Sequence, residues 1–408
     1  MSGRDPAAAA AAVEALASTS DMTRLYEHYD TLRSADPIHE SQHEDFPRCW
    51  FISRHEDLYA VLRDKRFVQD ARNSEVFAGS EGPFADMVSR ILIFLPPGPH
   101  ERTRGLIYRA FTPKEVERRR PRIETVIQEL IAGVAARGGG DLLEDVLYPL
   151  PMTVICELLG ATPEERDMLS ELFAAQGHEV SDVGSASDSH HAAADQMIVR
   201  FSEEVKRMLE RHRKQPGGGI LEALIEASDN GDQLSEDEVI AAIYILIGAG
   251  HETTANLLGN GLAHLLSEHR DQWELLCSQP SLVPSAVEEL LRFDTSVQFN
   301  QRVANQPLVY RGFEMAESDR IIVLLGAANR DPEVFPDPHR LDIRRDPNPH
   351  LSFGAGAYHC LGTHLARLEM QIALDALVRN APKLATAGTP EWRATWMMTG
   401  LERLPVTF

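Results

Sequence analysis

The sequence predicts a mainly α-helical protein with small β-sheets. Apolar residues recur at three- to four-residue spacing in long segments such as 123–136 and 194–214, which is the pattern of helices with one buried face. Short apolar runs at 49–53, 307–310 and 320–324 instead suit strands. Helices thus account for most of the predicted structure, and the strands are short and scattered.

The 408 residues show neither a repeat period nor a clear linker. That length allows two domains, but single folds of this size exist. We therefore expect one domain over 1–408. Residues 1–20, which include the alanine run 7–12, are expected to form a flexible N-terminal segment.

The helix that the sequence defines best lies between residues 235 and 266. Ser235 followed by Glu238 forms a capping box, which satisfies free amide groups at a helix start. Apolar and small residues then continue to about Leu266, and a helix of about 30 residues is about 45 Å long. A helix that long and that apolar must run through the core of a large domain.

Polar residues interrupt this helix near its middle. Gly248 and Gly250 weaken a helix interior, and the run 251–254 (His-Glu-Thr-Thr) follows them directly. Such conflicts between local propensity and a buried position are expected at functional sites. The alternative interpretation is a partly exposed turn in which Glu252 is hydrogen-bonded.

The composition restricts the compartment and the partners. A net charge of −22 argues against nucleic acid or an anionic membrane as the main partner. The cysteines, at 49, 156, 277 and 360, form no CxxC pair, so we expect a reducing cytoplasm and no zinc site or disulfide framework. The N-terminus lacks the basic start and apolar stretch of a signal peptide. The longest apolar run, 240–250, is shorter than the roughly 18 residues that a membrane span needs.

The segment 351–362 reads Leu-Ser-Phe-Gly-Ala-Gly-Ala-Tyr-His-Cys-Leu-Gly. Its glycines let the backbone turn tightly and approach a flat ligand. Cys360 comes just before the apolar periodicity of 365–377, which predicts a helix, and a helix N-terminus lowers the pKa of a thiol. A thiolate there can bind iron and accept amide hydrogen bonds. The alternative is a buried structural cysteine.

The cysteine segment resembles the haem-binding loop of the cytochrome P450 family. In the same order as in that family, 249–254 resembles its oxygen-activating motif, 289–292 resembles its Glu-x-x-Arg motif, and 338–341 resembles its meander. The similarity runs from Trp50 to Val406. Each motif is weak alone, but four in this order and spacing are specific. The resemblance implies a P450-like fold whose long central helix lies over haem.

The resemblance also implies a haem-thiolate monooxygenase. Cys360 would hold the iron of haem b, and O2, the co-substrate, would bind on the opposite face of the iron. Glu252 and Thr253 would be the catalytic pair that delivers protons through water, beside a widened turn at 249–250 that makes room for O2. A buried charge cluster supporting the cysteine loop would consist of Glu289, Arg292 and Arg340.

The haem propionates need cationic partners. By resemblance, His100 and Arg104, which lie on one helix face, and Arg302, in a strand, would bind them. The family usually has His or Arg two residues before the cysteine, but here Tyr358 occupies that position and His359 follows it. Tyr358 can donate a hydroxyl hydrogen bond without charge, and His359 either contacts a propionate or turns toward the surface.

Electrons are expected to come from outside the chain. No Gly-x-Gly-x-x-Gly motif indicates a flavin or nicotinamide domain, so NAD(P)H-derived electrons would arrive through a ferredoxin and its reductase, as in stand-alone bacterial members of the family. A basic cluster could dock the ferredoxin, or it could be an ordinary solvated turn. It consists of Arg109, Arg118, Arg119, Arg120 and Arg122.

The substrate would be a medium-to-large apolar molecule with a few oxygens, such as a polyketide, terpenoid or steroid, which the enzyme would hydroxylate or epoxidise in secondary metabolism. By resemblance, its pocket is walled by 84–94, 172–191, 244–249, 297–300 and 397–399. Within these segments the candidate contacts are Tyr244, Ala249, Val297, Gln298 and Met398, with Asn300 and Thr399 as further polar partners.

Two other functions remain open at this point. The first is a peroxide-dependent or non-oxygenating haem-thiolate enzyme, whose members often lack the acid–alcohol pair that Glu252 and Thr253 form here. The second is a non-catalytic P450-like domain that recruits partners, against which the complete cysteine loop argues.

Overall fold

The computed structural model describes residues 4–18, 24–44, 46–70, 81–176, 188–216, 220–229, 234–393, 395 and 397–408. In these parts of the chain the helices are α1 (Pro6–Ser18), α2 (Leu25–Ala35), α3 (His55–Arg63), α4 (Pro83–Val88), α5 (Pro97–Tyr108), α6 (Pro113–Glu117), α7 (Arg120–Ala136), α8 (Pro149–Leu158), α9 (Pro163–Gln176), α10 (Asp188–Lys214), α11 (Ile220–Asp229), α12 (Glu236–Leu266), α13 (Arg270–Ser278), α14 (Val283–Phe293), α15 (Leu325–Ala328) and α16 (Thr363–Asn380). Short 3-10 or π turns cover Leu92–Phe94, Arg109–Phe111, Leu143–Leu147, Pro280–Leu282 and Gly356–Tyr358.

The strands are short. They are β1 (Ile38–Glu40), β2 (Cys49–Ile52), β3 (Phe67–Val68), β4 (Gly139–Asp141), β5 (Phe299–Ala304), β6 (Leu308–Tyr310), β7 (Phe313–Met315), β8 (Arg320–Leu324), β9 (Ala385–Thr386), β10 (Glu391–Trp392), β11 (Leu401–Arg403) and β12 (Pro405–Thr407). The largest sheet in the described residues has the strand order β1-β2-β8-β5-β3, with β2 and β8 parallel and the other neighbours antiparallel. The prediction of a mainly helical protein with small sheets is confirmed.

The predicted helices and strands lie close to where the sequence placed them. The periodic segments 123–136 and 194–214 fall inside α7 and α10, and the predicted strand at 320–324 coincides with β8. Helix α12 begins after the capping box, in which the Glu238 amide donates to the Ser235 hydroxyl and the Glu238 carboxylate accepts from the Ser235 amide. These agreements follow from local signals, which need no knowledge of distant contacts.

Helix α12 runs through the main hydrophobic core. It packs against α8, α13, α14 and α16, and the same apolar cluster continues through α7 and α10. Its side chains are buried from Val239 to Tyr244 and again from Thr254 to Ala263. Two smaller apolar clusters cover the two faces of the five-stranded sheet. The centre of α12 is therefore held rigidly from both ends.

The N-terminal segment is more ordered than the sequence suggested. Residues 6–18 form α1, whose apolar face (Ala9, Ala12, Val13 and Leu16) is buried against α2. Upstream, the Arg4 guanidinium donates to both carboxylate oxygens of Asp36, at 2.7 and 2.8 Å. The expectation of a flexible segment over 1–20 is thus wrong for these residues, because an alanine-rich helix can bury one face when a second helix covers it.

None of the helices in the described parts of the chain combines the length and the apolar character that a membrane crossing requires.

Candidate active site

The cysteine loop is built around two glycines with left-handed backbone angles. Gly354 has φ +66° and Gly356 has φ +72°. A Cβ on Gly356 would lie 2.3 Å from the carbonyl oxygen of Leu62, so a side chain there would displace α3. The loop closes where the Cys360 amide donates to the Phe353 carbonyl at 2.9 Å, and α16 begins three residues later, at Thr363. The glycines are therefore required by geometry.

Cys360 combines solvent access with close enclosure by the protein. Its side chain is accessible to solvent, although protein surrounds it closely enough for burial to raise the pKa of its thiol. A hydrogen bond from the Gly362 backbone and the charges of Arg104 and Arg367 act in the opposite direction but do not cancel the burial. The expected net lowering of the thiol pKa by the helix start is thus not seen in this structure. A cysteine that is both accessible and enclosed is what we expect at the wall of a ligand cavity.

Buried and partly buried hydrogen bonds anchor the cysteine loop to the rest of the protein. Asn329 bridges its two sides, because its amide group donates to the Ser352 hydroxyl at 2.9 Å and its amide oxygen accepts from the Leu351 backbone at 2.7 Å. The Ser352 hydroxyl in turn donates to the carbonyl of Leu291 in α14, at 2.7 Å. The guanidinium of Arg367 lies 4.6 Å from the centre of the Phe353 ring. The loop is therefore anchored to α14 and α16 together.

A buried ion-pair cluster lies behind this support. Arg292 and Glu289, both fully buried, form two parallel hydrogen bonds of 2.8 Å. The second arginine on Glu289 is Arg345, at 3.1 Å, and not Arg340 as the meander motif suggested. The side chain of Arg340 is 66% exposed, and its carbonyl accepts a hydrogen bond from Arg292 at 3.2 Å. The meander turns Arg340 outward, so the sequence identified the pair correctly but the third member wrongly.

A cationic cluster adjoins the cysteine loop. Arg302 in β5 is almost fully buried, and its guanidinium lies 4.9 Å from the centre of the Tyr358 ring. His100, in α5, also packs against Tyr358, and the centres of the two rings are 4.4 Å apart. Burial, together with Arg104 and Arg302, lowers the pKa of His100 to about 4. The structure thus brings together four of the predicted propionate ligands.

Arg302 lacks the anion that its burial would call for. Burial lowers the pKa of its guanidinium to about 10. Within the described residues its Nε finds no hydrogen-bond acceptor, and no carboxylate lies within ion-pair distance. A buried cation is costly unless it is paired. The chemistry of this cluster therefore suits an acidic group that is not part of the polypeptide.

The two residues before the cysteine have different surroundings. Tyr358 is part of the cationic cluster, whereas His359 lines a groove together with His55, Arg63 and Gly354. Burial, with Arg104 and Arg367 nearby, lowers the pKa of His359. The sequence left open which of the two neighbours would face a propionate, and the structure places only Tyr358 with Arg302 and His100.

Helix α12 presents an accessible stripe in the middle of an otherwise buried length. Ala249 is exposed, and Ile245, Glu252 and Thr253, at helical spacing from it, are partly exposed. Accessible positions flanked on both sides by buried turns are what we expect where a core helix borders a ligand cavity. The helix is continuous here, so the expected widening at 249–250 does not appear as a break in α12. The Thr253 hydroxyl donates to the Ala249 carbonyl at 2.7 Å.

Glu252 has a partner that the sequence did not reveal. The buried Arg393, which follows β10, donates from Nη1 to Glu252 Oε1 at 2.7 Å. Its Nη2 donates to Asn256 Oδ1 at 2.8 Å and also to the hydroxyl of Tyr148. Nothing local marks Arg393, because it lies 141 residues from Glu252 in the chain. The proposed proton-delivery acid is thus one end of a buried polar cluster.

Several predicted pocket residues have other roles. Gln298 is fully buried, and its amide donates to Thr295 O at 2.6 Å and to Thr399 Oγ1 at 3.1 Å. Tyr244 is also buried, with its ring 5.4 Å from that of Phe173. These side chains belong to packed layers, so their prediction as pocket walls is not supported.

Other pocket predictions remain compatible with the structure. Val297 and Met398 are partly exposed and pair in an antiparallel bridge. Ala249 belongs to the accessible stripe described above. Of the predicted wall 172–191, residues 177–187 lie outside the described parts of the chain.

Most of the basic cluster near α7 is already paired within the chain. Arg118 pairs with Glu115 at 2.9 Å, and Arg122 pairs with Glu157 at 2.7 Å. Arg120 pairs with Glu117. These three arginines therefore offer less net positive charge than the sequence suggested, whereas Arg109 and Arg119 are exposed.

The fold and the site define a class of protein. An enclosed cysteine thiol, a buried arginine with a second arginine and hydrogen-bond donors near it, and an accessible helix stripe fit a flat, acidic, iron-carrying group such as haem. The buried and unpaired Nε of Arg302 is the observation that favours an acidic edge on that group. The chain thus has the features of a haem-thiolate oxidoreductase.

Comparison with known proteins identifies the family. The cytochrome P450 family model matches residues 47–276 and 268–381. A vitamin D(3) 25-hydroxylase of Pseudonocardia autotrophica is 38% identical over 387 residues, which cover 93% of this chain and 92% of that protein. The structure of P450BioI in complex with an acyl carrier protein ligated to hexadec-9Z-enoic acid has a TM-score of 0.88 and 32% identity, covering 97% of this chain and 100% of that one. That of PksS from the Bacillus subtilis bacillaene polyketide synthase has a TM-score of 0.83 and 33% identity, covering 94% and 96%.

The chain therefore belongs to the cytochrome P450 family. It is an oxidoreductase, like the relatives named as monooxygenases and hydroxylases. Membership implies a haem iron and the use of O2 with electrons from a reductant.

Proposed function

We propose that this chain is a cytoplasmic monooxygenase in which Cys360 is the thiolate ligand of a haem b iron. One atom of O2 enters a medium-to-large, mostly apolar small molecule and the other leaves as water, at the cost of two electrons and two protons. The observation that carries the proposal is the position of Cys360. It is enclosed but accessible, at the end of a glycine-built loop whose Tyr358 lies beside Arg302, a buried cation with an Nε that finds no acceptor in the described residues.

The residues around Cys360 would hold the cofactor by its acidic edge. Arg302 and Arg104 supply positive charge, and His100 and the Tyr358 hydroxyl supply neutral hydrogen-bond donors. His100 is neutral at pH 7 in this structure because burial and the two arginines disfavour its charged form. His359 lines the groove beside His55 and is not needed for this contact.

Haem bound through a thiolate supplies an iron that activates O2. The chain's own contribution is to deliver protons to that side of the site. The Thr253 hydroxyl donates its hydrogen to Ala249, so its oxygen lone pairs remain available to accept a hydrogen bond from water. Glu252, one residue earlier, can take a proton from water and release it toward Thr253.

The substrate class is argued from the site and from the relatives. Partly exposed apolar side chains such as Ile245, Val297 and Met398 offer hydrophobic contacts. One relative is named a vitamin D(3) 25-hydroxylase, and the PksS structure is named as the cytochrome P450 of a polyketide synthase. We therefore propose a polyketide, terpenoid or steroid as the substrate and a role in secondary metabolism. The electrons would arrive from NAD(P)H through a ferredoxin and its reductase.

The ligand assignment is tested by the spectrum of the reduced carbon monoxide complex. Wild-type protein should show the absorption band of a thiolate-ligated iron. Cys360→Ser should lose that band, whereas Cys277→Ser, at another partly accessible cysteine, should keep it. An unchanged band in Cys360→Ser would refute the assignment.

The reaction type is tested by comparing two electron sources with one substrate. A panel of macrolactones, steroids and terpenoids is first screened for a shift of the haem spin state. A compound that gives a shift is then incubated either with ferredoxin, reductase and NAD(P)H or with peroxide alone. Product formed only in the first case supports the monooxygenase. Product formed only with peroxide would favour the peroxide-dependent alternative, and no product with any spin-shifting compound would favour a non-catalytic domain.

A further inference from the structure

A buried arginine reaches from the C-terminal hairpin to the central helix. Arg393 follows β10 and is only 4% exposed. Its Nε donates to the Leu401 carbonyl at 3.2 Å, and its backbone amide donates to the Gly400 carbonyl at 3.1 Å. The β10–β11 hairpin thus holds both the backbone and the side chain of Arg393. Its guanidinium is held at a defined place beside α12.

This guanidinium determines where the Glu252 carboxylate lies. Glu252 and Asn256 are four residues apart, so they share one face of α12, and Arg393 donates to both, at 2.7 and 2.8 Å. Tyr148, at the start of α8, closes the cluster by donating its hydroxyl to Asn256 Oδ1 at 3.2 Å. Thr253 is rotated by about 100° from Glu252 around the helix. The carboxylate is therefore held to one side of the hydroxyl that it would serve.

Arg393 is suited to holding a proton donor and unsuited to being one. A guanidinium stays protonated throughout the physiological pH range, so it cannot pass a proton on. A positive charge in contact with a carboxylate favours the ionised form of that carboxylate. The Glu252 side chain is 24% exposed, which lets it exchange protons with water.

Other charged or titratable groups surround the pair. Tyr148 contacts Arg393 directly, and the ring of His251 lies 5.4 Å from that of Tyr148. Burial raises the pKa of Tyr148 to about 12, while Arg393 acts to lower it and Glu252 and Asp141 act to raise it further. Tyr148 is thus neutral at working pH, whereas Arg393 is a cation in direct contact with Glu252.

We infer that Arg393 is a positioning residue for proton delivery: it anchors the Glu252 carboxylate in its ionised form and releases it only when it takes up a proton. Water gives that proton to the carboxylate, the neutral acid then turns toward Thr253 and gives it up, and the regenerated carboxylate pairs again with Arg393. The inference rests on the proposed role of Glu252. It adds that the C-terminal hairpin controls this step.

The pH profile of coupling tests the inference. With Arg393→Gln, the carboxylate should protonate at higher pH, so product formed per NAD(P)H should persist about one pH unit further into the alkaline range than in wild type. Arg403→Gln on the same hairpin, an exposed arginine, should leave the profile unchanged. Arg393→Lys should restore most of the wild-type profile because it keeps the charge. An alkaline limit that is identical in Arg393→Gln and wild type would overturn the inference.

A second readout does not depend on turnover. The infrared band of the protonated Glu252 carboxyl, assigned by its disappearance in Glu252→Gln, is followed against pH. It should appear at higher pH in Arg393→Gln than in wild type, and an unshifted band would count against the inference. If Arg393→Gln yields too little folded protein, Arg393→Met replaces it, because methionine fills much of the same space without polar atoms. The infrared band is then followed against pH in that variant.

Glu252→Gln separates this inference from the function on which it rests. If that variant keeps wild-type coupling and solvent isotope effect, the proposed proton route is wrong whatever Arg393 does. If Glu252→Gln impairs coupling while Arg393→Gln leaves the pH profile and the carboxyl band unchanged, only the role of Arg393 is refuted.

Discussion

Tyr358 replaces a charged residue of the family pattern by an aromatic ring that lies between the neutral His100 imidazole and the Arg302 guanidinium. The centre of its ring lies 4.4 Å from the centre of the His100 ring and 4.9 Å from the Arg302 guanidinium. The ring offers a negative face to the Arg302 guanidinium, and the hydroxyl can donate to an acidic ligand. A site that lacks the usual charge two residues before Cys360 thus retains a hydrogen-bond donor there.

The first prediction concerns the Tyr358 hydroxyl. Tyr358→Phe keeps the ring contacts but removes a hydrogen bond to a charged group, so haem affinity should fall roughly tenfold. Haem transfer to a high-affinity acceptor protein measures the change. Tyr108→Phe, at an exposed tyrosine of α5, is the control and should behave as wild type. Equal transfer rates in Tyr358→Phe and wild type would show that the hydroxyl has no part in binding.

Glu369 is a second residue whose protonation is determined by its surroundings. It lies in α16, nine residues after Cys360, and burial raises the pKa of its carboxyl to about 8. The unfolded chain has an ordinary glutamate pKa, roughly 4.3. Between these two values the folded state binds more protons than the unfolded state, so the free energy of unfolding falls as the pH rises through this window.

The second prediction follows from that sign. Glu369→Gln removes the cost of ionising a buried carboxyl. The free energy of unfolding of the variant, relative to that of wild type, should therefore increase between pH 5 and pH 8, by on the order of a few kcal/mol. Urea denaturation at several pH values measures the difference. Glu402→Gln, at an exposed glutamate, should give a curve parallel to wild type. The prediction fails if the Glu369→Gln curve also runs parallel.

At the scale of elements, two arginines of the meander differ in how firmly they are held by the rest of the protein. Arg345 is 11% exposed and donates to the fully buried Glu289 through Nε, at 3.1 and 3.2 Å. Its Nη1 donates to the Pro336 carbonyl at 2.8 Å. Arg340, five residues earlier, has a largely exposed side chain that approaches Asp342 only to 3.9 Å.

The third prediction compares these two arginines. Arg345→Gln leaves the buried Glu289 with less compensation and should cost about 2–4 kcal/mol of unfolding free energy. Arg340→Gln removes an exposed and distant ion pair and should cost less than about 0.5 kcal/mol. Chemical denaturation of both variants, with the haem content of the purified protein, measures the contrast. Equal costs would mean that Arg345 does not support Glu289.

The extent of prediction from sequence differs between these elements. Helix α12 could be placed to within a residue because its capping box and apolar run are local signals. The buried Glu289–Arg292 pair was also expected, since helix spacing brings the two together. Arg345 and Arg393 could not be found in this way, because each reaches its carboxylate through the tertiary fold. The burial of Gln298 likewise depends on the tertiary fold, because its amide donates to the Thr399 hydroxyl, 101 residues away in the chain.

At the scale of the whole molecule, the distribution of charge limits how an electron donor can dock. The chain carries a net charge of −22, so an acidic ferredoxin is repelled except at a local positive surface. Arg118, Arg120 and Arg122 are neutralised by neighbouring glutamates. Arg109 directly follows α5, the helix that carries Arg104 toward Cys360. Its exposed side chain is five residues from Arg104, whose charge acts on the Cys360 thiol.

The last prediction tests this surface. Arg109→Glu should slow reduction of the iron by reduced ferredoxin about three- to tenfold at low ionic strength, because long-range attraction steers the encounter. Salt above about 0.5 M should remove most of the difference, since screening shortens the range of the interaction. The control is Arg207→Glu, which changes the net charge equally but lies on α10, a helix that packs against α4, α9, α11 and α12. Stopped-flow reduction at several salt concentrations measures both variants, and equal slowing would mean that net charge, rather than docking beside Cys360, governs the rate.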